Sequence, residues 1–236
     1  MRKRFLKVLF CCFWALSFFT GCGIEEFIYL YPVEQVVVPS DDPANRKFEF
    51  KTTDTDNDDH VPAGYFKGFE IYYRIYNTKT VLLNDISDIS SYNTNYPTTV
   101  NNYLVTTKKY QRLNAVGHTG TLLIPRTGTN RTVIIRLVAL DALNPVDMTI
   151  DGVSSGQPLR TRDGISDSSQ MSTYDFDFDI EDLGSDDTDI TYSTTWEDPL
   201  NKNWYVQAFV FAYGTDESYK SIYSEATSLG YVTIPE

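Results

Sequence analysis

The acidic run Asp54–His60, Asp-Thr-Asp-Asn-Asp-Asp-His, is the densest group of side chains that could perform chemistry. Carboxylates at alternate positions of a loop can converge on a hard cation such as calcium, which accepts oxygen ligands in flexible geometry. A calcium loop of the EF-hand type that begins at Asp54 needs Gly at position 59 and Glu at position 65, whereas the chain has Asp59 and Tyr65. We therefore predict that Thr52–Gly64 is a solvated acidic loop that binds no metal, and a calcium site at Asp54–Asp59 is the alternative.

The two histidines, His60 and His118, are the candidates for a catalytic base. A serine-type triad needs a histidine beside a nucleophile and a carboxylate. His118 lies in the sequence Gly-His-Thr-Gly, which is typical of a turn. We therefore predict that neither histidine is catalytic, and two histidines are also too sparse for a zinc motif.

The segment Tyr174–Glu181 alternates apolar residues with carboxylates, which predicts a β-strand with one anionic face. Two carboxylates can hydrolyse a glycosidic bond when one of them has a raised pKa inside a pocket. A strand face in water offers no such desolvation, so we interpret these charges as protection of a sheet edge against pairing with other chains. The sequence therefore predicts a protein that is not an enzyme and needs no cofactor.

The chain is strongly acidic, because its 236 residues include 20 basic and 32 acidic ones, a net charge of −12. Four of the basic residues lie within Arg2–Lys7, in a leader that we expect to be removed, which leaves 16 basic residues and a net charge of −16. A surface of this sign repels phosphate backbones and anionic lipid headgroups. We therefore exclude nucleic acid as a partner, whereas cationic partners remain open.

The start of the chain has the pattern of a secretory signal peptide. A basic segment, Met1–Lys7, precedes the apolar run Val8–Phe19, whose 12 residues fall short of the roughly 20 that span a bilayer. All three cysteines lie in the first 22 residues, so the remaining chain cannot form a disulfide or a thiolate metal site. The sequence therefore predicts a cleaved signal peptide over residues 1–21.

The end of this leader, Phe19-Thr20-Gly21-Cys22, resembles the lipobox of bacterial lipoproteins, in which lipid is attached to the cysteine and the leader is cut before it. Phe19 stands where leucine is usual, a departure for which spirochaetal lipoproteins are known. The resemblance implies that Cys22 is the lipid-carrying N-terminus of the mature protein and that residues 22–32 form a lipidated tether. Two or more acyl chains anchor a protein stably in a membrane. The alternative is an ordinary signal peptide whose cysteine is incidental.

The residue after Cys22 bears on which membrane would hold such a lipoprotein. Gly23 is not an aspartate, so the inner-membrane retention signal of the enterobacterial sorting rule is absent. The resemblance therefore implies anchorage in a bacterial cell envelope, at the outer membrane, where the protein contacts the membrane through its lipid.

Several segments alternate apolar and polar residues with the period of a β-strand. In Phe66–Asn77, the odd-numbered residues from Phe69 to Ile75 are apolar and share one face, opposite Glu70, Tyr72, Arg74 and Tyr76. We expect this strand to be half-buried, with its second face in water. The segments Lys47–Lys51 and Asn203–Gly214 predict a short strand and the longest strand, so the chain is expected to be mainly β.

Two of these segments resemble strands of fibronectin type III domains. Gly68-Phe-Glu-Ile-Tyr-Tyr73 is similar to the third strand of that family, whose usual sequence is Gly-Tyr-x-Val-x-Tyr. Trp204–Gly214, followed by Tyr223–Thr227, is similar to strand F, the F–G turn and the start of strand G. The resemblance implies an immunoglobulin-like or fibronectin III-like antiparallel β-sandwich over residues 33–236.

The chain departs from that family in two respects. The tryptophan expected in the second strand is replaced by Phe48 or Phe50, and roughly 125 residues separate the two matching pieces. The extra length includes residues 78–112, where apolar residues recur at helical spacing over Leu82–Ile89 and Val100–Leu104. We predict two short helices there, packed as an insertion on one end of the sandwich.

The aromatic side of the two long strands leaves two arrangements open. Five rings could be exposed together as a platform for sugars or for a protein partner: Tyr72, Tyr76, Tyr205, Phe209 and Tyr213. They could also pack beneath the helical insertion, which we favour because large bare apolar patches are rare on soluble monomers.

No group of residues in the sequence identifies a reaction. We expect a lipid-anchored protein of a bacterial cell envelope that acts as a non-catalytic interaction or structural module, with an envelope protein or a glycan as its partner. The alternative is a carbohydrate- or small-solute-binding lipoprotein that uses loops at one end of the sandwich. The composition, rich in tyrosine and aspartate, resembles that of spirochaetal lipoproteins of uncharacterised role.

Overall fold

The computed structural model describes residues 28–118, 121–161, 176, 183–185, 187–200 and 202–235. The protein is mainly β, with 38% strand and 18% helix. The strands are β1 (Glu34–Val37), β2 (Phe48–Lys51), β3 (Phe66–Tyr76), β4 (Gln111–Arg112), β5 (Asn114–Ala115), β6 (Ile124–Pro125), β7 (Thr132–Arg136), β8 (Asp147–Ile150), β9 (Val153–Gly156), β10 (Pro158–Leu159), β11 (Ile190–Thr191), β12 (Asn203–Thr215), β13 (Ser221–Tyr223) and β14 (Thr227–Pro235). The helices are α1 (Asp54–His60), α2 (Lys79–Asn95) and α3 (Val100–Thr106), and a 3-10 turn spans Pro43–Asn45. Within the described residues, none of the helices combines the length and the apolar content needed to cross a bilayer.

Two sheets face each other and form a sandwich. The first has the strand order β1-β2-β7-β8-β9, and the second is centred on β3 and β12, with β13 and β14 beside β12 and with β4, β6 and β11 beside β3. β3 and β12 are antiparallel and pair along their whole length, from Tyr76 opposite Tyr205 to Phe66 opposite Gly214. The two segments that resemble family strands are therefore direct neighbours. The prediction of a mainly β antiparallel sandwich with a small helical insertion is confirmed.

Gly68 permits the close approach of β6 to the start of β3. Its φ of 138° lies in the region that favours glycine, and a side chain there would collide with the Ile124 carbonyl. β6 pairs with β3 at this point, with Gly68 opposite Pro125. Glycine is therefore the residue that this contact requires.

The inner faces of the two sheets form the main core. β12 contributes Trp204, Val206, Ala208, Val210 and Ala212, and β3 contributes Phe69, Ile71, Tyr73 and Ile75. The other sheet faces them with two registered pairs, Phe48 opposite Ile135 and Phe50 opposite Val133. Each large apolar side chain buried in this way stabilises the fold by about 1.5–3 kcal/mol relative to its exposure.

The outer face of β3 is buried as well, so the prediction that this strand is half-buried was wrong. Glu70, Tyr72, Arg74 and Tyr76 are at most 8% exposed. Helices α2 and α3 cover this face and form a second core, which includes Tyr72, Ile89, Val100, Leu104, Phe209 and Phe211. Of the five aromatic residues considered for a platform, Tyr72, Tyr76 and Phe209 are therefore buried, whereas Tyr205 and Tyr213 stay partly exposed.

The charges on this covered face have partners. Arg74 donates to the Thr191 hydroxyl at 2.6 Å and to three backbone carbonyl oxygens at 2.5 to 3.0 Å. Glu70 accepts a hydrogen bond from Tyr72 at 2.7 Å and pairs with Arg112 at 3.0 Å. Such partners offset the cost of removing a charge from water. Arg74 thereby also fastens β11 to β3.

The insertion is attached to the sandwich at the start of α2. The Glu197 carboxylate accepts hydrogen bonds from the backbone amides of Lys79 and Thr80 at 3.0 and 2.7 Å. These amides have no partner within the helix, and a carboxylate at a helix N-terminus is also favoured by the helix dipole. Hydrogen bonds from Thr80 lower the pKa of Glu197, so the carboxylate stays ionised at neutral pH.

Several predictions concern residues outside the described part of the chain. The predicted signal peptide, Cys22 and most of the tether fall within residues 1–27. Most of the predicted acidic strand Tyr174–Glu181 also lies outside the described residues. Phe176 is described, and its buried ring packs edge-to-face on Tyr73 with the centroids 5.2 Å apart.

Candidate functional site

The acidic run Asp54–His60 forms helix α1, which corrects the prediction of a loop. Asp54 and Asp56 lie in its first turn, where the helix dipole stabilises carboxylates. A helix directs successive side chains to different sides, so Asp54, which is buried, and Asp56, which is exposed, do not converge on one point. In the part of the chain that is described, no group of three or more histidine, cysteine, aspartate or glutamate side chains could hold a metal ion.

Two residues of α1 face the interior and fix the helix in place. Asp54 accepts a hydrogen bond from the Thr127 amide at 2.7 Å and lies 3.4 Å from the Arg131 guanidinium. Asn57 accepts from the Tyr31 amide at 2.8 Å and donates to the Tyr31 carbonyl at 3.0 Å. The bonds of Asn57 hold the segment that leads into β1 against the helix.

The exposed side of α1 and the segment leading into β1 enclose a surface groove of about 550 Å³. Asp56, Asp59 and His60 form one wall, and residues 31–34, Tyr-Pro-Val-Glu, form the other. The three helix residues are spaced by three and four positions, so they share one face of α1. The second wall is held in place because Val33 is buried in the main core. We call this feature the acidic groove.

Aromatic rings line the acidic groove and its edge. The ring centroids of Tyr31 and His60 lie 4.9 Å apart at an interplanar angle of 60°, and Tyr29 stands edge-on to Tyr31 at 5.5 Å. Burial, and then the negative charge of Glu225, raise the pKa of the Tyr29 hydroxyl above its ordinary value. Tyr29 therefore presents a neutral aromatic surface at neutral pH, at the edge of the groove.

Three exposed carboxylates of the acidic groove have no ion pair with a described residue, namely Glu34, Asp56 and Asp59. The ion pairs of α1 use its other carboxylates, Asp54 with Arg131 and Asp58 with Arg126. Two opposite charges about 4 Å apart attract by about 1 kcal/mol even in bulk water, and an aromatic ring adds attraction for a cation. The acidic groove can therefore bind an ammonium or guanidinium group. Its exposed carboxylates lack the desolvation that a general acid needs.

The structure also brings together a serine and a histidine that the sequence prediction did not connect. The prediction that His118 is not catalytic assumed that the chain has no Gly-x-Ser-x-Gly segment, which was wrong, because Gly152–Gly156, Gly-Val-Ser-Ser-Gly, has that spacing of a nucleophile turn. Such a turn joins a strand to a helix, whereas here the middle serine, Ser154, lies in hairpin strand β9 and donates to Asp147 at 3.0 Å. The next residue, Ser155, has its hydroxyl 3.2 Å from Nε2 of His118.

Within the described residues, this serine–histidine pair lacks the third member of a triad, because no carboxylate there hydrogen-bonds His118. The hairpin also lacks the strand–turn–helix geometry that exposes a nucleophile above a sheet. We therefore interpret the hydrogen bond between Ser155 and His118 as a structural contact that joins β9 to the turn that holds His118.

Half of the acidic groove was predictable from the sequence. Asp54–His60 was selected for its carboxylates, but Tyr31 and Glu34 were assigned to the tether and the first strand. The available signal was the aromatic and acidic composition of residues 29–34, Tyr-Leu-Tyr-Pro-Val-Glu. The predicted lipid-attachment residue, Cys22, lies outside the described residues.

Comparisons with protein-family models, with curated proteins and with solved structures find no match. The resemblances to bacterial lipoproteins and to fibronectin type III domains therefore rest on the quoted residues alone. The function has to be inferred from the groove and from the leader.

Proposed function

We propose that this chain is a lipid-anchored protein of a bacterial cell envelope, at the outer membrane, and that it acts as a non-catalytic interaction module. Its contact site is the acidic groove, and its partner is a protein segment that presents lysine or arginine side chains. One observation carries the proposal: three exposed carboxylates without basic partners among the described residues stand beside aromatic rings in a groove. The predicted leader and Cys22 support the proposed location in the cell envelope.

The place of the groove in the chain supports a contact close to the membrane. Tyr31 lies nine residues after Cys22, and an extended chain advances by about 3.5 Å per residue. Lipid on Cys22 would therefore keep this wall of the groove within about 30 Å of the bilayer surface. The expected partner is a basic segment of another envelope protein that lies at a similar distance from the bilayer surface.

The competing function is that of a carbohydrate- or small-solute-binding lipoprotein. The volume of about 550 Å³ falls within the range of small-molecule pockets, roughly 300–1,000 Å³. This volume favours a small cationic solute, such as a polyamine, as the alternative occupant of the acidic groove. A peptide segment is preferred because small-molecule pockets bury most of their ligand, whereas Glu34, Asp56 and Asp59 are all exposed.

Binding of a dye-labelled octalysine peptide to the purified protein, measured by fluorescence anisotropy, tests the proposal. We expect saturable binding that weakens as salt is added, because exposed charges are screened. Asp59→Lys should weaken binding by about tenfold or more, since reversing one charge at about 4 Å changes the Coulomb energy by about 2 kcal/mol even in water. Glu217→Lys is the matched control, because it makes the same change of net charge at an exposed position between β12 and β13.

Three outcomes decide between the possibilities. Tight binding that Asp59→Lys weakens and Glu217→Lys leaves unchanged supports the acidic groove as a peptide site. Equal losses in both variants mean that octalysine senses only the net charge, which contradicts the groove. Spermidine that displaces the peptide at an equal concentration of charge supports the small-solute alternative.

A further inference from the structure

The helical insertion carries three tyrosine rings that are not fully buried. Its inner side belongs to the second core, to which Ile89, Val100 and Leu104 contribute. Tyr92, Tyr96 and Tyr103 lie outside this buried set, and we call them the tyrosine surface.

The three rings are held in a defined arrangement. The ring of Tyr103, on α3, stacks on that of Tyr92, on α2, with the centroids 4.1 Å apart and the planes within 5° of parallel. Tyr96, at the end of α2, lies 4.9 Å from Tyr92 and is 58% exposed. Tyr92 and Tyr103 also pack against the second core. Because the rings are already held in place, a ligand that contacts them restricts few side-chain rotations, and the entropy cost of binding is small.

The tyrosine surface is uncharged within a strongly acidic protein. Residues 89–107 are 19 consecutive residues without aspartate, glutamate, lysine, arginine or histidine, although 22% of the whole chain is charged. The Lys108 ammonium at the end of this stretch lies 6.0 Å from the centre of the Tyr103 ring and is paired with two carboxylates, Asp88 at 2.6 Å and Asp85 at 2.7 Å. Within the stretch itself, an ionic ligand would find no opposite charge.

Amide and hydroxyl groups surround the rings. The exposed Asn95 donates through its amide nitrogen to the Ser91 carbonyl at 2.8 Å, which leaves its side-chain oxygen as an acceptor. The side chain of Asn102, exposed and adjacent to Tyr103, has no hydrogen-bond partner among the described residues. The rim of the tyrosine surface can therefore both donate and accept hydrogen bonds without carrying charge.

We propose that the tyrosine surface binds a neutral glycan. Aromatic rings pack against the C–H faces of sugar rings, while amides and hydroxyls exchange hydrogen bonds with sugar hydroxyls. The missing charge gives an acidic or a basic polysaccharide no advantage at this surface. Interfaces between proteins also favour tyrosine, but a stable one buries about 800 Å² per partner, whereas one aromatic side chain buries only about 150–250 Å². Tyr92 and Tyr103 are already partly buried against the second core, so the tyrosine surface is small for a protein partner. This site is separate from the acidic groove and would add a second ligand class to the proposed interaction module.

Affinity electrophoresis of the purified protein tests the proposal, in native gels that contain a neutral β-glucan, a neutral galactomannan or the acidic polysaccharide alginate. The native protein should be retarded by at least one neutral polysaccharide and not by alginate. Tyr96→Ala should weaken this binding by about tenfold, the typical effect of truncating an aromatic contact residue. Tyr219→Ala is the matched control, because Tyr219 is 89% exposed in the loop between β12 and β13.

Each result either supports or overturns the glycan site. Retardation in a neutral gel that Tyr96→Ala reduces and Tyr219→Ala preserves supports it. Absence of retardation in both neutral gels, equal retardation of the Tyr96→Ala variant, or stronger retardation by alginate overturns it. Asp59→Lys should leave glycan binding unchanged, and Tyr96→Ala should leave octalysine binding unchanged, so the two proposals fail independently.

Discussion

Replacing Asp189 by asparagine should destabilise the fold strongly, although the side chain keeps its size and shape. Asp189 is fully buried, and its oxygens accept two hydrogen bonds from Arg160 at 2.7 and 2.8 Å and one from the Tyr73 hydroxyl at 2.7 Å. Arg160 is itself 4% exposed. The ion pair therefore connects the residues that follow β10 and precede β11 to the centre of β3, with little access to water.

The magnitude follows from the charge that is left behind. In the Asp189→Asn variant, the Arg160 cation loses the carboxylate that it contacts at 2.7 Å, and its pair with Asp187, at 4.0 Å, is longer. Removing one partner of a buried ion pair costs about 3–5 kcal/mol. Domains of this kind have total stabilities of roughly 5–15 kcal/mol, so the loss is a large share of the whole. The double variant Arg160→Met/Asp189→Leu should recover part of it, because the Arg160 charge is removed together with that of Asp189, whereas Asp187 and the Tyr73 hydroxyl each lose a partner.

Urea unfolding, followed by tryptophan fluorescence, measures the effect because Trp204 lies in the main core. Asp88→Asn is the matched control, since it makes the same chemical change in an ion pair whose aspartate side chain is 58% exposed. We expect Asp189→Asn to lower the free energy of unfolding by about 3 kcal/mol or more, and Asp88→Asn by less than about 1 kcal/mol. Equal losses in the two variants, or a double variant no more stable than Asp189→Asn, would refute this reasoning.

Three further predictions test the anchor, the covered face and the absence of catalysis. Radiolabelled palmitate should be incorporated into the native protein and not into Cys22→Ser, and label retained by the variant would contradict lipid attachment at that residue. Burial is the largest cause that raises the pKa of four tyrosines well above the ordinary value, namely Tyr72, Tyr73, Tyr76 and Tyr110. Burial also raises the pKa of Tyr223, to about 12. The folded state therefore holds these protons more tightly than the unfolded state, so their contribution to stability is complete below about pH 10 and is lost as the pH rises through the folded pKa values. Absorbance at 295 nm should show them ionising together with alkaline unfolding, whereas gradual ionisation of all tyrosines near pH 10 would contradict their burial in the two cores. A fluorophosphonate probe should leave Ser155 unlabelled, and labelling that disappears in His118→Ala would show that the pair is an active nucleophile and base.

The strands and the insertion could be predicted because each leaves a local pattern. Phe48 and Phe50 alternate with charged residues, and the apolar residues between Leu82 and Leu104 recur at helical spacing. The burial of Glu70 and Arg74 could not be predicted, because alternation assigns residues to faces but does not reveal that a distant helix covers one of them. Helix α1 was missed because aspartate, asparagine and threonine have low helix propensity, and tertiary contacts of Asp54 and Asn57 outweigh it here.

The candidate sites depend more on tertiary structure than the fold does. Tyr31 and His60 are 29 positions apart in the sequence and meet because Asn57 binds the Tyr31 backbone. The stacking of Tyr92 on Tyr103 likewise requires the turn between α2 and α3. The composition of the chain therefore indicates that acidic and aromatic side chains are available for binding. The tertiary structure determines which of them come together in the acidic groove and in the tyrosine surface.

Site-specific photo-crosslinking in cells of the source organism tests the central claim most directly. A photoreactive amino acid at Thr55, which is exposed one turn before Asp59 on α1, should give an adduct with a basic envelope protein in the membrane fraction. The adduct should disappear when Asp59→Lys is added, and the same amino acid at Glu217 should give none. An adduct that persists with Asp59→Lys, or the absence of any adduct from Thr55, would contradict the acidic groove as the contact site of this protein.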